Sequence, residues 1–198
     1  IKAGELPEDF DKAIDDLEAT FEVGSKVATR KASGAALNAV AAVMPELWGG
    51  SADLGGSNNT NIKGAQSFAP AKYATTQWPN CSIYGRQLHF GVREFASGCI
   101  TNGILLGSDT RPFSGTFFQF ADYERAAVRL AALMEIPNLF IWTHDSVALG
   151  EDGPTHQPIE HLDSFRAIPQ FEVVRPADEW ETAEAYRAFF EKDNTLPA

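Results

Sequence analysis

Short apolar runs alternate with helix-periodic stretches along this chain, and that alternation constrains its fold more than any other feature. Leu47 to Asp53, Gln87 to Phe90, Pro112 to Phe118, Pro137 to Thr143 and Phe171 to Arg175 read as strands. Helical patterns follow them: a buried helix that Glu94 starts, FFQFADYERAAVRLAALM, His161 to Ala167, and Glu179 to Phe190. Parallel neighbours need long crossovers, and crossover helices cover both faces of the sheet they span. The expected class is therefore α/β, a mostly parallel sheet with helices on both faces and functional loops along one edge.

Two helices precede the first strand. Residues 7 to 21, PEDFDKAIDDLEATF, place Phe10, Ile14, Leu17 and Phe21 at helical spacing with Pro7 in a first turn, and read as a connector. An alanine-rich helix runs from about Ser25 to Met44, where Pro45 ends it. Arg30 and Lys31 sit near its start, where the helix dipole disfavours cations; they are either a solvated pair or serve something other than helix stability.

Chemistry concentrates in THDSVALGEDGPTHQP, Thr143 to Pro158, which begins where a buried strand ends and α/β proteins bind their ligands. His144 and His156 are the side chains suited to titrate near neutral pH, and Asp145, Glu151 and Asp152 can orient or charge-stabilise them. Gly150, Gly153 and Pro154 shape the turn, although a solvated loop with incidental histidines has the same composition. The loop GGSNNTNIKGAQS is a surface loop or a ligand loop. Glu94 is a dipole partner for its helix or a working carboxyl, and Phe117, Phe120 and Tyr123 recur at a spacing that core packing also produces.

A formal net charge of −11 excludes nonspecific binding to nucleic acid or an anionic membrane, while leaving room for a small anion held by a few Arg and His side chains. At 198 residues the chain supports one good-sized domain. Cys81 and Cys99 have no disulfide or zinc spacing and read as reduced, Cys99 in the core of a helix. No apolar run approaches a membrane span and no leader pattern opens the chain, so a cytoplasmic protein is expected. The first residue is Ile and the last four are TLPA, so the chain reads as a piece of something longer.

ATRKAS, GGSADLGGSN, GVREFA, FSGTFFQFADYERAAVRL, THDSVALGEDGPTHQPIEHL and VVRPAD stand in an order that resembles the transketolases, specifically their middle, pyrimidine-binding domain. The resemblance implies a thiamine diphosphate-binding fold of the pyrimidine type over residues 26–198, with residues 1–25 connecting from a preceding domain. It implies thiamine diphosphate-dependent transfer of a two-carbon ketol unit from a ketose phosphate to an aldose phosphate, in the pentose phosphate pathway of the cytoplasm. Glu94 matches the acid that shares a proton with the pyrimidine nitrogen N1′, and Phe117, Phe120 and Tyr123 match the positions that stack on that ring. Arg30, Ser57 and His144 match the substrate-phosphate positions, Asp152 a residue that reads a substrate hydroxyl, and His156 one that assists proton transfer at the reacting carbons.

Asp53 resembles a position near the cofactor at a subunit contact. Phe95 stands where some members carry His, and Gly56 where Pro is frequent, which loosens the presentation of Ser57. The Gly-Asp-Gly plus Asn motif that holds the diphosphate and its Mg²⁺ or Ca²⁺ is absent from these residues, so the metal ligands are expected outside this chain. Implied partners are sugar phosphates and the diphosphate-binding domain of a second subunit in a homodimer. A noncatalytic interaction module, a formaldehyde-accepting relative and one subunit of a split enzyme are the alternatives, and this chain alone is expected to be inactive.

Overall fold

The computed structural model describes residues 5–191 and 196–198. Residues 1–4 of the expected connector lie outside them. The strands are β1 (Leu47–Ser51), β2 (Ser67–Phe68), β3 (Cys81–Ser82), β4 (Gln87–His89), β5 (Arg111–Phe117) and β6 (Leu139–Thr143). They form one sheet in the order β3-β2-β4-β1-β5-β6, and every described pairing is parallel. The helices are α1 (Phe10–Glu18), α2 (Thr29–Val43), α3 (Gly55–Asn58), α4 (Glu94–Gly107), α5 (Ala121–Leu133), α6 (His161–Arg166) and α7 (Glu179–Glu191).

Alternation along β6 divides the core in two. Leu139 and Ile141 join a cluster with Phe10, Leu37, Phe113 and Phe190 of α1, α2, β5 and α7. Phe140 and Trp142 point the other way, to Val128, Phe165 and Phe171. Phe113 and Phe165 are each fully buried, contributing about 1.5–3 kcal/mol apiece. Helices thus cover both faces as the strand–helix alternation requires, and α1 is part of the first core: Phe10 lies edge-on to Phe190 with ring centroids 6.0 Å apart.

Several local expectations change. Phe171 to Arg175 does not become a strand, because Leu196–Ala198 occupies the place beside β6. The Ala198 N–H donates to Asn138 O at 3.1 Å, Phe140 N–H donates to Ala198 O at 2.8 Å, and Glu172 N–H donates to Pro197 O at 3.1 Å. That pattern is a parallel pairing of Ala198 with β6. Helix α2 starts at Thr29 rather than near Ser25; Ala28 is extended at ψ 132°, and Ser25 Oγ donates to Glu179 Oε1 at 2.6 Å. Cys99 is half-buried rather than in the core. The short β2 and β3 fall in stretches too brief for an apolar pattern to mark.

Candidate active site

The carboxyl ends of β5 and β6 lie side by side, Phe117 opposite Thr143, and the N-terminus of α4 meets them there. Glu94 is the first residue of α4 and is 7% exposed. Thr116, the penultimate residue of β5, donates its hydroxyl to Glu94 Oε1 at 3.3 Å. A carboxyl in that place faces the free N–H groups of the helix start, yet it is also walled in beside a strand. The arrangement goes beyond a surface dipole partner.

Rings extend this wall outward. Phe117 and Phe120 lie 6.3 Å apart and within 19° of parallel; Phe120 and Tyr123 lie 6.4 Å apart and within 29°. Burial falls along the row, from Phe117 in the core to Tyr123 at 69% exposed, so the outer part is an open aromatic shelf rather than core packing. His156 stands edge-on to Phe120 at 4.9 Å, with its Nδ1 2.8 Å from Thr155 Oγ1.

His144 stacks on the inner ring of that row, 3.7 Å from Phe117. Its backbone is left-handed, φ 55°, which a non-glycine residue adopts at a cost of about 1–2 kcal/mol and which turns the chain sharply as β6 ends. Its hydrogen bonds settle its proton. Arg30 can only donate, and its guanidinium lies 2.8 Å from His144 Nε2, so Nε2 is the acceptor and the imidazole is neutral. The proton then sits on Nδ1, donated to Thr143 Oγ1 at 2.8 Å, and Thr143 donates onward to Asn58 Oδ1 at 2.8 Å. Burial first, and then the Arg30 charge, hold the His144 pKa below its ordinary value, against the opposing charges of Asp152 and Asp145.

Arg30, His144 and Asp152 line a cavity of about 620 Å³ together with apolar residues that include Phe140, Val173 and Phe189. The structure therefore brings together Arg30, His144 and Asp152, and separately joins His144, Phe117, Phe120 and His156 through ring contacts. Ser57 is exposed on α3, and no described hydrogen bond joins its side chain to Arg30 or His144; its neighbour Asn58, wholly buried, makes the connection instead. Asp53, with φ 63°, lines a separate small polar cleft with Trp78 and His89. The roles of Thr116 and Asn58 were not legible in the sequence, since they follow from the packing of α4 on β5 and of α3 on β6.

Against known families, the profile described as transketolase, pyrimidine binding domain, matches residues 25–197. The chain belongs to the transketolase family. Transketolase of Mycobacterium bovis is 57% identical over 193 residues, 97% of this chain and 27% of that protein. Transketolase of Geobacillus stearothermophilus is 49% identical over 95% of this chain and 26% of its own length. Among solved structures, a Pichia stipitis transketolase in complex with sedoheptulose 7-phosphate superposes with a TM-score of 0.85 at 44% identity, covering 98% of this chain and 28% of that one. The chain thus spans little more than a quarter of the length of these transketolases. No described helix is long and apolar enough to cross a membrane.

Proposed function

We propose that this chain is the pyrimidine-binding part of a thiamine diphosphate-dependent transketolase, which moves a two-carbon ketol unit between sugar phosphates. The observation that carries this reading is Glu94: a carboxyl buried at the start of α4, hydrogen-bonded by Thr116, beside a row of near-parallel rings. That combination fits a flat, nitrogen-bearing aromatic ring with one polar edge, and so fits the pyrimidine of the cofactor. When bound, thiamine diphosphate supplies the carbon nucleophile that carries the two-carbon unit.

Each residue then has a task. Glu94 holds a proton at the ring nitrogen, which its walled-in position shields from water. Phe117, Phe120 and Tyr123 fix the plane of the ring and exclude solvent. Arg30 offers a forked, charge-assisted contact to a phosphate, and His144 becomes a second donor when the phosphate displaces its hydrogen bond to Arg30 and Nε2 takes up a proton from water. Ser57 adds a shorter contact from α3, Asp152 reads a hydroxyl in the cavity it lines, and His156 moves a proton at the reacting carbons.

In this reading residues 26–198 form the domain and residues 1–25 join it to a preceding one, with α1 packed on α2 and α7. The Mg²⁺ or Ca²⁺ ligands and the diphosphate contacts come from outside this chain, from a second subunit of a cytoplasmic homodimer. The 198-residue chain alone is expected to show no ketol transfer. In the full-length enzyme with thiamine diphosphate, Mg²⁺, a ketose phosphate and an aldose phosphate, Glu94→Ala is expected to lower kcat by about 10²–10⁴-fold without unfolding the protein. Unchanged turnover in that variant refutes the assignment.

A further inference from the structure

Glu124 is a carboxyl for which the reading above has no use, and its charge and that of Glu94 oppose each other. It is 1% exposed and enclosed by four elements. Ser114 of β5 donates to Oε1 at 2.8 Å, and the Trp142 indole of β6 donates to Oε2 at 3.1 Å. Gly98 of α4 makes the room: a Cβ there would stand 3.0 Å from Glu124 Cγ and 2.7 Å from Ala127 Cβ. No described Lys, Arg or His pairs with it. This is a niche built for a carboxyl without a counter-charge.

Strand β5 brings the two acids together: Ser114 and Thr116, alternate residues on one of its faces, donate to Glu124 and to Glu94, while Ser97 of α4 lies between Glu124 and the backbone of Glu94. The Ser97 hydroxyl lies 2.8 Å from the backbone carbonyl of Glu94 and 3.3 Å from Glu124 Oε1. One proton serves the nearer acceptor, which leaves a lone pair towards Glu124. An ionised Glu124 therefore has donors in Ser114 and Trp142, while a protonated one has an acceptor in Ser97. Burial above all, with the Glu94 charge adding to it, pushes the Glu124 pKa up to about 7 against the hydrogen bonds from Trp142 and Ser114. Of the titratable groups facing it, α4 supplies Glu94 and Cys99, whose thiol is raised by burial and then by the Glu124 charge; β5 and β6 face it with Ser114 and Trp142, which do not titrate.

We propose that Glu124 is a positioning residue for Glu94: the buried pair holds one negative charge between them, and Glu124 carries it whenever Glu94 holds a proton at the cofactor ring. This deepens the function proposed above and rests on Glu94 being that acid. A proton gained at Glu94 is matched by one lost from Glu124 to water, so the number of protons on the pair stays constant. Like charges in one low-dielectric site disfavour the doubly ionised form.

Infrared difference spectra of the full-length protein without cofactor, recorded against pH, test the coupling. A carboxylic-acid carbonyl band should fade across neutral pH in the wild type, be missing from Glu124→Gln, and fade about one pH unit lower in Glu94→Gln. An unmoved midpoint in Glu94→Gln overturns the coupling, and because that variant leaves Glu124 in place it decides the matter even if Glu124→Gln does not fold. With thiamine diphosphate bound, circular dichroism of the pyrimidine ring should report a tautomer balance whose pH midpoint shifts in Glu124→Gln. If the infrared midpoint moves but the ring signal ignores Glu94→Gln, the role given to Glu94 fails instead, and the positioning role of Glu124 fails with it.

Discussion

His144 reaches its place by three separate constraints, and each leaves a measurable trace. The left-handed backbone turns it back over Phe117, the stack holds its plane, and Arg30 takes the lone pair of Nε2. Because Arg30 is the second cause of its lowered pKa after burial, Arg30→Met should raise the His144 midpoint in an imidazole proton NMR titration. The sign for stability follows. A histidine whose folded pKa lies below its ordinary 6.5 stabilises the fold above that pH, and the contribution is lost as pH falls through it, because the unfolded chain then binds more protons. Urea unfolding between pH 7.5 and pH 5.5 should therefore show an acid-side loss that shrinks in Arg30→Met. Residue type alone marked the histidines of Thr143 to Pro158 as candidates. It did not give the tautomer of His144, since Asn58 of α3 and Thr143 of β6, which help to fix it, meet only in the fold.

At the scale of elements, α4 packs closely on α5 across Gly98. A side chain there meets Ala127 on one side and Glu124 on the other. Gly98→Leu should force the helices apart and cost about 1–3 kcal/mol in denaturant unfolding, while a change at Gly103, where nothing lies within 4 Å of a Cβ, should cost much less. The helices themselves were readable because apolar period and chain length agree there. Glu124 shows where such reading stops. It falls on the buried face with Ala121, Val128 and Ala131, a position that signals something unusual, but in ADYERAAVRL it is one charge among several. Phe171 to Arg175 failed for the opposite reason: its composition suits a strand, and a different piece of chain took the hydrogen bonds.

For the whole molecule, sixteen cations against twenty-seven carboxylates leave −11 to be carried by 198 residues. Self-repulsion of that size is screened by salt, so the unfolding midpoint should rise as NaCl increases from about 0.01 M to 0.3 M, over which the screening length falls from about 30 Å to well under 10 Å. A falling midpoint would mean that the surface ion pairs outweigh the repulsion. The two cores share the sheet as a common wall, and strand β6 carries residues of both. The pairing of Ala198 with β6 gives that wall a graduated edge. Parallel strands advance in step, so a residue added after Ala198 would stand beside the next residue of β6, Phe140 first and Thr143 last, before the left-handed turn at His144. The last described residue thus acts as the zero of a ruler that points along the edge of the sheet towards the ligand loops.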